Sequence, residues 1–488
     1  MPGEASPTPQ PSPASQPSAS PPSPSAQPAS PPSAPPHQAA WAAQVAPVPG
    51  DGRGWRSVLA LTGVIGGIAL VGIGLLVFLG YRIGPMALAV GLVAAIVPVP
   101  ILVGCFIWLD RYEPEPVRYL ALAFAWGAAI ATSVSLGVNT GSGWLFDRAG
   151  LPDWLVAVLV APFIEELTKA LGPLLLLLRR RREFSGITDG IVYCGLSATG
   201  FAMVENILYL GGYAYASGLE QYGPATAAQN LIALFIARIV LTGFAHPLFT
   251  AMSGIGLGIA ARASNTWVRR LAPIAGLLVA MLLHGGWNLM ATLTGLTGEL
   301  LVFLYGYISI MVPVFLAMIG VAVWLRSWEG RLTERTLPVY VGAGWLSPPE
   351  VAALGTLGRR HSARRWARRV AGDAGVKAMR DYQYAATRLA LLRDRMNRGL
   401  DRTPADRGAS VYEEQVLLGT IVASRQAFTG RDPQVPPAHW DGSRYHVTFP
   451  DGVRRTVAAP PEPVVPIPVP LAPPRPPNIP PPGLDSGR

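Results

Sequence analysis

The sequence predicts an all-α integral membrane protein of about eight transmembrane helices, with a disordered Pro-rich N-terminus and a mainly helical cytoplasmic C-terminal region. Half of the 488 residues are hydrophobic and only 14% are charged, against about 25% charged in an ordinary soluble domain. Mean hydropathy is +0.34. Prolines crowd the ends, with 16 of the 49 in the first 50 residues and 13 after residue 459; with few large apolar side chains beside them, nothing offsets the entropy of ordering. The chain is therefore read as a disordered Pro/Ser/Ala-rich cytoplasmic leader (1–57), a polytopic membrane core (58–326), a basic and mostly helical cytoplasmic region (327–457) and a Pro-rich disordered tail (458–488).

The leader is followed by an apolar stretch of about 23 residues. That is longer than the roughly 7 to 15 apolar residues of a cleavable signal, so it is expected to remain as a membrane span. Crossing a hydrocarbon core of about 30 Å takes roughly 17 to 25 helical residues. Eight segments meet that need, at about 58–80, 83–108, 118–138, 152–178, 187–213, 229–261, 271–294 and 300–326. The first, second and eighth carry no charge between their ends; the third holds Ser133 and Ser135, with Asn139 just beyond; the fourth to seventh contain ionisable residues. Beyond the core, residues 348–428 read as two or three helices. Ser443–Val457, with Asp451-Gly452 between short alternating runs, reads as a hairpin.

Charge gives an orientation. Arginine gathers at positions 53 and 56, 111 and 118, 179 to 182, 262, 269 and 270, and from 326 onward, all on one side of the alternating spans; the other side receives only Arg82 and Arg148. Basic residues mark the cytoplasmic side, so a multi-pass protein of the cell membrane with both termini in the cytoplasm is expected. The two cysteines, Cys105 and Cys194, lie in apolar runs, which excludes a disulfide framework and a cysteine-built zinc site.

Seven ionisable residues fall deep inside the spans, away from their ends: Glu165, Glu166, Lys169, Glu205, Arg238, His246 and His284. Each costs at least about 2.5 to 3.5 kcal/mol unless it faces protein or water. Glu165 is 14 residues from Arg179, His246 is 16 from Arg262, His284 is 14 from Arg270 and Glu205 is 16 from Asp189. At 1.5 Å per residue these four lie roughly 21 to 24 Å from their borders, so four helices present carboxylate and imidazole at one depth. Glu165 and Lys169, like His284 and Asn288, stand one turn apart on a shared face. Pro162, Pro173 and Pro247 interrupt helical hydrogen bonding, as membrane proteins allow around a wet cavity.

Two histidines with a carboxylate can form a three-ligand zinc site open to water, and a further glutamate can take that water's proton. Without metal, a glutamate base could activate water directly, with His284 and Asn288 donating to the oxyanion. Both schemes remain open on the residues alone, and both hydrolyse a bond within the membrane. Other intramembrane hydrolase signatures are missing: no histidine is followed by glutamate, Gly186-Ile187-Thr188-Asp189 is not G-x-G-D, and Thr140-Gly141-Ser142-Gly143 lacks the leading glycine of G-x-S-G.

Four motifs in order on successive spans carry a family resemblance: Glu165-Glu166-Leu167-Thr168-Lys169, Phe201-Ala202-Met203-Val204-Glu205-Asn206, Phe244-Ala245-His246-Pro247, and His284-Gly285-Gly286-Trp287-Asn288. Together they resemble the PrsW-type intramembrane proteases, relatives of the CAAX prenyl-protein proteases; the loop Leu109-Asp110-Arg111-Tyr112-Glu113-Pro114-Glu115-Pro116 is similar to one in actinobacterial members. The resemblance covers about residues 100–326. It implies a membrane peptidase with Glu165, Glu166, Glu205, His246, His284 and Asn288 as catalytic residues, and Zn2+ held by Glu205, His246 and His284, with Glu165 or Glu166 as a further ligand. It also implies membrane-protein substrates such as anti-sigma factors.

The plainer readings set beside this are a buried network in which the glutamates, Lys169 and Arg238 pin helices together, and ordinary interhelical hydrogen bonds for His246 and His284. From another functional class come a transporter or proton relay using the same groups, and a non-catalytic scaffold presenting the basic tail. Six arginines between Arg359 and Arg369 could meet anionic lipid headgroups or form a solvated helix face. No recognisable module accompanies them, so no nucleic-acid partner is expected.

Overall fold

The computed structural model describes residues 54–181, 184–434 and 438–458. Residues 1–53 of the leader and the tail from residue 459, both expected to be disordered, lie outside the described residues. Glycine and proline punctuate the first helices. α1 (Gly54–Ile83) stops at Gly84, whose φ of 86° suits glycine, and Pro85 opens α2 (Pro85–Ile96). Pro98 and Pro100 separate α2 from α3 (Val99–Leu109), because neither ring nitrogen can donate to the preceding turn.

Later spans are built from α-helical pieces joined by π-helical turns. α4 (Val117–Ala125) passes through Trp126–Ala131 into α5 (Thr132–Arg148), and Val156–Val160 leads into α6 (Ala161–Arg179). α7 (Ile187–Asn206) continues through Ile207–Ala216 to α8 (Ser217–Tyr222). α9 (Pro224–Phe235) and the π-helical Ile236–Leu241 end at Thr242, whose φ of −125° leaves the helix, and α10 (Ala245–Arg262) starts afresh. The stretch expected as one helix at 229–261 is therefore broken at 242–244. Pro247 explains the break: without an N–H it cannot bond the carbonyl one turn earlier. α11 (Thr266–Thr297), α12 (Leu300–Gly306), the π-helical Tyr307–Met311 and α13 (Val312–Thr336) complete the bundle.

Among the described residues seven helical stretches are long and apolar enough to cross a membrane. The remaining segment expected to span, 152–178, is the π-helical turn plus α6. It carries Glu165, Glu166 and Lys169 and so fails on apolarity, although it packs against α7, α10 and α11.

α7 is the centre of the bundle, with 83% of its apolar window buried where most other spans are at 11 to 17%. Its small residues allow this. Gly190 of α7 faces Gly254 of α10 so closely that a Cβ on Gly254 would fall 2.3 Å from the Gly190 carbonyl oxygen. Close backbone approach of this kind is how membrane helices associate where apolar burial drives little.

α13 runs past residue 326 and is followed by α14 (Pro338–Gly342), α15 (Pro348–Leu354), α16 (Leu357–Asn397) and α17 (Pro404–Arg425). α16 kinks at Ala371-Gly372, where Gly372 has φ 61°. The expected hairpin is present as β2 (Tyr445–Thr448) and β3 (Arg454–Val457), and a third strand, β1 (Ala438–Trp440), precedes them. All pairs are antiparallel in the order β1-β2-β3, with Trp440 opposite Tyr445 and Tyr445 opposite Val457.

The loop after α3 joins this region to the bundle. Asp110 accepts from the Glu115 N–H at 2.7 Å, Glu115 from the Tyr193 hydroxyl at 2.7 Å, and Glu113 from Ser185 Oγ at 2.8 Å. From α16, Arg388 reaches Glu113 at 3.8 Å, and buried Arg360 donates to the Tyr112 carbonyl at 3.3 Å and to Thr387 at 2.8 Å. Arg262 of α10 meets Asp394 at 2.5 Å. Burial pushes the carboxyl groups up, Glu113 to about 8, Asp110 to about 9 and Glu115 to about 10, with neighbouring Asp189 adding to each. Of the Arg359–Arg369 segment, Arg360 and Trp366 point inward, Trp366 donating to Asp432 at 2.8 Å, while Arg359, Arg365, Arg368 and Arg369 are exposed.

Candidate active site

Four helices deliver the charged groups to one place. α6 carries Glu165, Glu166 and Lys169 on consecutive turns, all buried although the helix is surrounded by apolar side chains. Lys169 lies between the carboxylates, 2.9 Å from Glu166 Oε1 and 3.3 Å from Glu165 Oε2, and its ammonium sits 4.0 Å from the Phe201 ring centroid. The one-turn spacing visible in the sequence is thus a buried ion triplet.

The two histidines complete it from opposite sides. His284 on α11 places Nδ1 2.9 Å from Glu166 Oε1 and Nε2 3.8 Å from Glu165 Oε2. His246, in the first turn of α10 just after the break, places Nε2 2.8 Å from Glu205 Oε2 and Nδ1 3.1 Å from Lys169 Nζ. The imidazoles meet edge to face with centroids 5.1 Å apart, and Phe249 stacks on His284 at 5.3 Å. Each histidine therefore has one nitrogen against a carboxylate; the other nitrogen of His284 lies toward Glu165, and that of His246 meets the Lys169 ammonium.

Three residues absent from the expected set hold the carboxylates. Thr250, one turn after His246, donates to Glu166 Oε2 at 2.7 Å. Asn139 of α5 donates to Glu165 Oε1 at 3.3 Å. Arg238, expected only as a charge partner, donates to Glu205 Oε2 at 2.5 Å and to Asn206 at 3.0 Å. Thr250 sits at i+4 from His246 and on its face, which is the signal a sequence reading could have used; Asn139 had none beyond its polarity. Asn288, one turn after His284, donates its amide to the Ala157 carbonyl at 2.7 Å, on the π-helical turn before α6.

The two glutamates of α6 differ. Glu166 has Oε1 engaged by Lys169 and His284 and Oε2 by Thr250, and is fully buried. Glu165 has only the two longer contacts, to Asn139 and Lys169, and shares its remaining surroundings with His284. Three carboxylates face two cations, Lys169 and Arg238, which leaves one negative charge in excess.

Glu165, His246 and His284 can each offer one donor atom, and these atoms lie within 4.8 Å of one another. Two imidazoles and a carboxylate are a ligand set that zinc accepts with a position left for water, and the outer carboxylates match the way ligating histidines are oriented. The donor set fits a metal. It joins His246 and His284 of the set expected above with Glu165, named there as a further ligand, while Glu205 bonds Arg238 and His246 Nε2.

Comparison with known proteins gives the family. Residues 115–318 match the family described as PrsW family intramembrane metalloprotease. The chain is 31% identical over 202 residues to Protease PrsW of Geobacillus kaustophilus (strain HTA426), covering 41% of this chain and 79% of the relative. This chain belongs to the PrsW family of intramembrane proteases. Protease PrsW of Clostridioides difficile (strain 630) is 29% identical over 191 residues, 38% of this chain and 74% of the relative. The Bacillus subtilis (strain 168) Protease PrsW is 29% identical over 205 residues, 41% and 81%. No solved structure matches the chain. The protein is accordingly a multi-pass membrane protease, and the PrsW relationship favours peptide hydrolysis over the transporter and scaffold readings. All four motifs lie inside the matched residues, whereas α1 to α3 and the helices after α13 lie outside them.

Proposed function

We propose that this PrsW protein cleaves membrane-protein substrates within the bilayer by activating water at the Glu165–His246–His284 cluster. The observation that carries the reading is the convergence of the side chains: each imidazole is held by a carboxylate, Glu205 or Glu166, and Glu165, His246 and His284 each offer a donor atom within 4.8 Å of the others. Hydrolysis needs a group to receive the water's proton and donors fixed in advance where the oxyanion forms. Glu165 has the freer carboxylate and meets the reacting water; Glu166 holds His284 in orientation, and Thr250 and Lys169 hold Glu166. Glu205 and Arg238 do the same for His246. Asn288 is a positioning residue that fastens α11 to the turn preceding α6.

Zinc is the metal this ligand set supports, with Glu165, His246 and His284 to hold it; when bound it would supply a Lewis acid and lower the pKa of water, and Glu165 would serve as its ligand in place of proton acceptor. Lys169 then stays on the Glu166 side, where its shortest contact lies. The substrates are membrane-anchored regulators such as anti-sigma factors, a class that the family resemblance supports. The arginine asymmetry supports a cytoplasmic position for both termini, and the exposed arginines between Arg359 and Arg369 support a contact with anionic lipid headgroups.

The test pairs metal content with cleavage. Detergent-purified protein, prepared without chelator, is expected to hold about one zinc per chain by elemental mass spectrometry, lost in His246→Ala and His284→Ala. Glu165→Gln is expected to abolish cleavage of a single-span reporter while the protein stays folded and inserted. Full activity in Glu165→Gln would remove that residue from the mechanism, and wild-type protein active without metal would replace zinc by direct glutamate catalysis.

A further inference from the structure

A cavity of about 590 Å3 opens on the flank of the bundle between α1, α4 and α6, away from the catalytic cluster. Its walls are apolar, with Val64 on α1, Leu122 on α4 and Leu176 on α6. One end is not: Arg118 at the start of α4 and Arg179 and Arg180 at the end of α6 line it together. All three are exposed, and among the described residues no carboxylate pairs with any of them; Arg118 contacts only the Tyr119 ring, at 4.8 Å.

The depth of the groove restricts what it can take. Its floor is Trp126, whose indole N–H is tied to the Thr168 carbonyl at 2.9 Å and which fills the space that a Cβ on Gly172 would need. From Arg118 to Trp126 along the helical span is about 12 Å at 1.5 Å per residue, slightly less than half of a hydrocarbon core of about 30 Å. A transmembrane helix would need both leaflets. A lipid with its head at one surface and its chains in one leaflet matches the groove in length and in the order of its chemistry, cationic at the end and apolar below. Three guanidinium groups, each able to bond phosphate oxygens in a fork, favour an anionic head over a zwitterionic one, as basic pockets between membrane helices do.

We propose that this groove is a binding site for one anionic phospholipid, its phosphate on Arg118, Arg179 and Arg180 and its acyl chains against Val64, Leu122 and Leu176. The site is independent of the catalytic reading. It is tested by native mass spectrometry of the full chain in detergent, titrated with phosphatidylglycerol or phosphatidylcholine. Phosphatidylglycerol should be preferred on the order of a hundredfold, about fivefold for each basic residue. The triple substitution Arg118→Gln, Arg179→Gln, Arg180→Gln should abolish the preference, and the corresponding triple lysine substitution should keep most of it. Val64→Trp, which fills the groove and leaves the charges, should also release the lipid, with Leu122→Trp repeating the test from the other wall should the first fail to fold.

Equal retention of the two lipids would overturn the proposal. So would wild-type binding in folded groove-filled variants, which would mean that the arginines bind headgroups as an open surface. Competition by glycerol phosphate as strong as that of the whole lipid would assign the arginines to a free phosphate ester and overturn it as well.

Discussion

Replacing Lys169 by methionine keeps the length of the side chain and removes its charge, so it isolates what the ammonium does for the two carboxylates beside it. Lys169 is fully buried, and the Glu166 and Glu165 side chains are 0% and 7% exposed. At an effective dielectric of about 20, the attraction at 2.9 and 3.3 Å amounts to about 6 and 5 kcal/mol. Desolvating the ammonium offsets much of this, and removing one partner of a buried pair costs about 3 to 5 kcal/mol because a bare charge stays behind. Lys169→Met is expected to lose that much stability in reversible unfolding by a denaturing detergent, followed by tryptophan fluorescence. Adding Glu166→Gln should restore at least half of the loss, since the bare anion nearest the lysine is then gone. A Lys169→Met protein within about 1 kcal/mol of wild type would show that the ammonium is not holding ionised carboxylates, and the charge accounting of the site would fail.

Thr250→Val removes the hydroxyl that holds Glu166 Oε2; cleavage of a single-span reporter should fall roughly 10- to 100-fold, as for other groups that orient a site from behind. Gly254→Ala sets a Cβ against the Gly190 carbonyl, parts α7 from α10 and should cost about 1 to 3 kcal/mol in thermal or detergent unfolding. The raised carboxyl groups of the loop after α3 make stability depend on pH. The folded form keeps protons on Glu113, Asp110 and Glu115 to about pH 8, 9 and 10, whereas the unfolded chain has released them by about pH 5. The folded state thus binds more protons across that window and loses stability as pH rises through it. Glu113→Gln should flatten the part of the melting-temperature profile below about pH 8.

Length and apolarity made the membrane spans legible, and the charged residues inside them located the site, because charge in lipid is costly enough to need a reason. The π-helical turns were not legible, since one inserted residue leaves the apolar pattern almost unchanged. Nor were the partners of Glu205. Its partner Arg238 comes 33 residues later, after the turn at Gly223, and only the return of the chain past that turn brings the guanidinium within 2.5 Å. Thr250 and Asn139 escaped notice because a hydroxyl or an amide is common in membrane helices and carries little cost. Asn288 shows the reverse: its spacing from His284 is that of a shared face, yet the neighbouring π-helical turn presents a carbonyl that claims it.

The segment containing α6 has a consequence for how the chain enters the membrane. Three charged side chains oppose its partition by roughly 8 to 10 kcal/mol, and the fourteen Leu, Ile, Val and Phe residues between positions 155 and 178 return about 4 to 8 kcal/mol, which leaves the segment short. Of the groups that reconcile those charges to lipid only Asn139 is already made; Phe201, Thr250, His246 and His284 are synthesised later. During translation this segment therefore has no stable transbilayer state of its own. Its commitment waits for α7, α10 and α11, so the catalytic helix is among the last parts of the bundle to settle, and the nascent protease is inactive until its whole core is made.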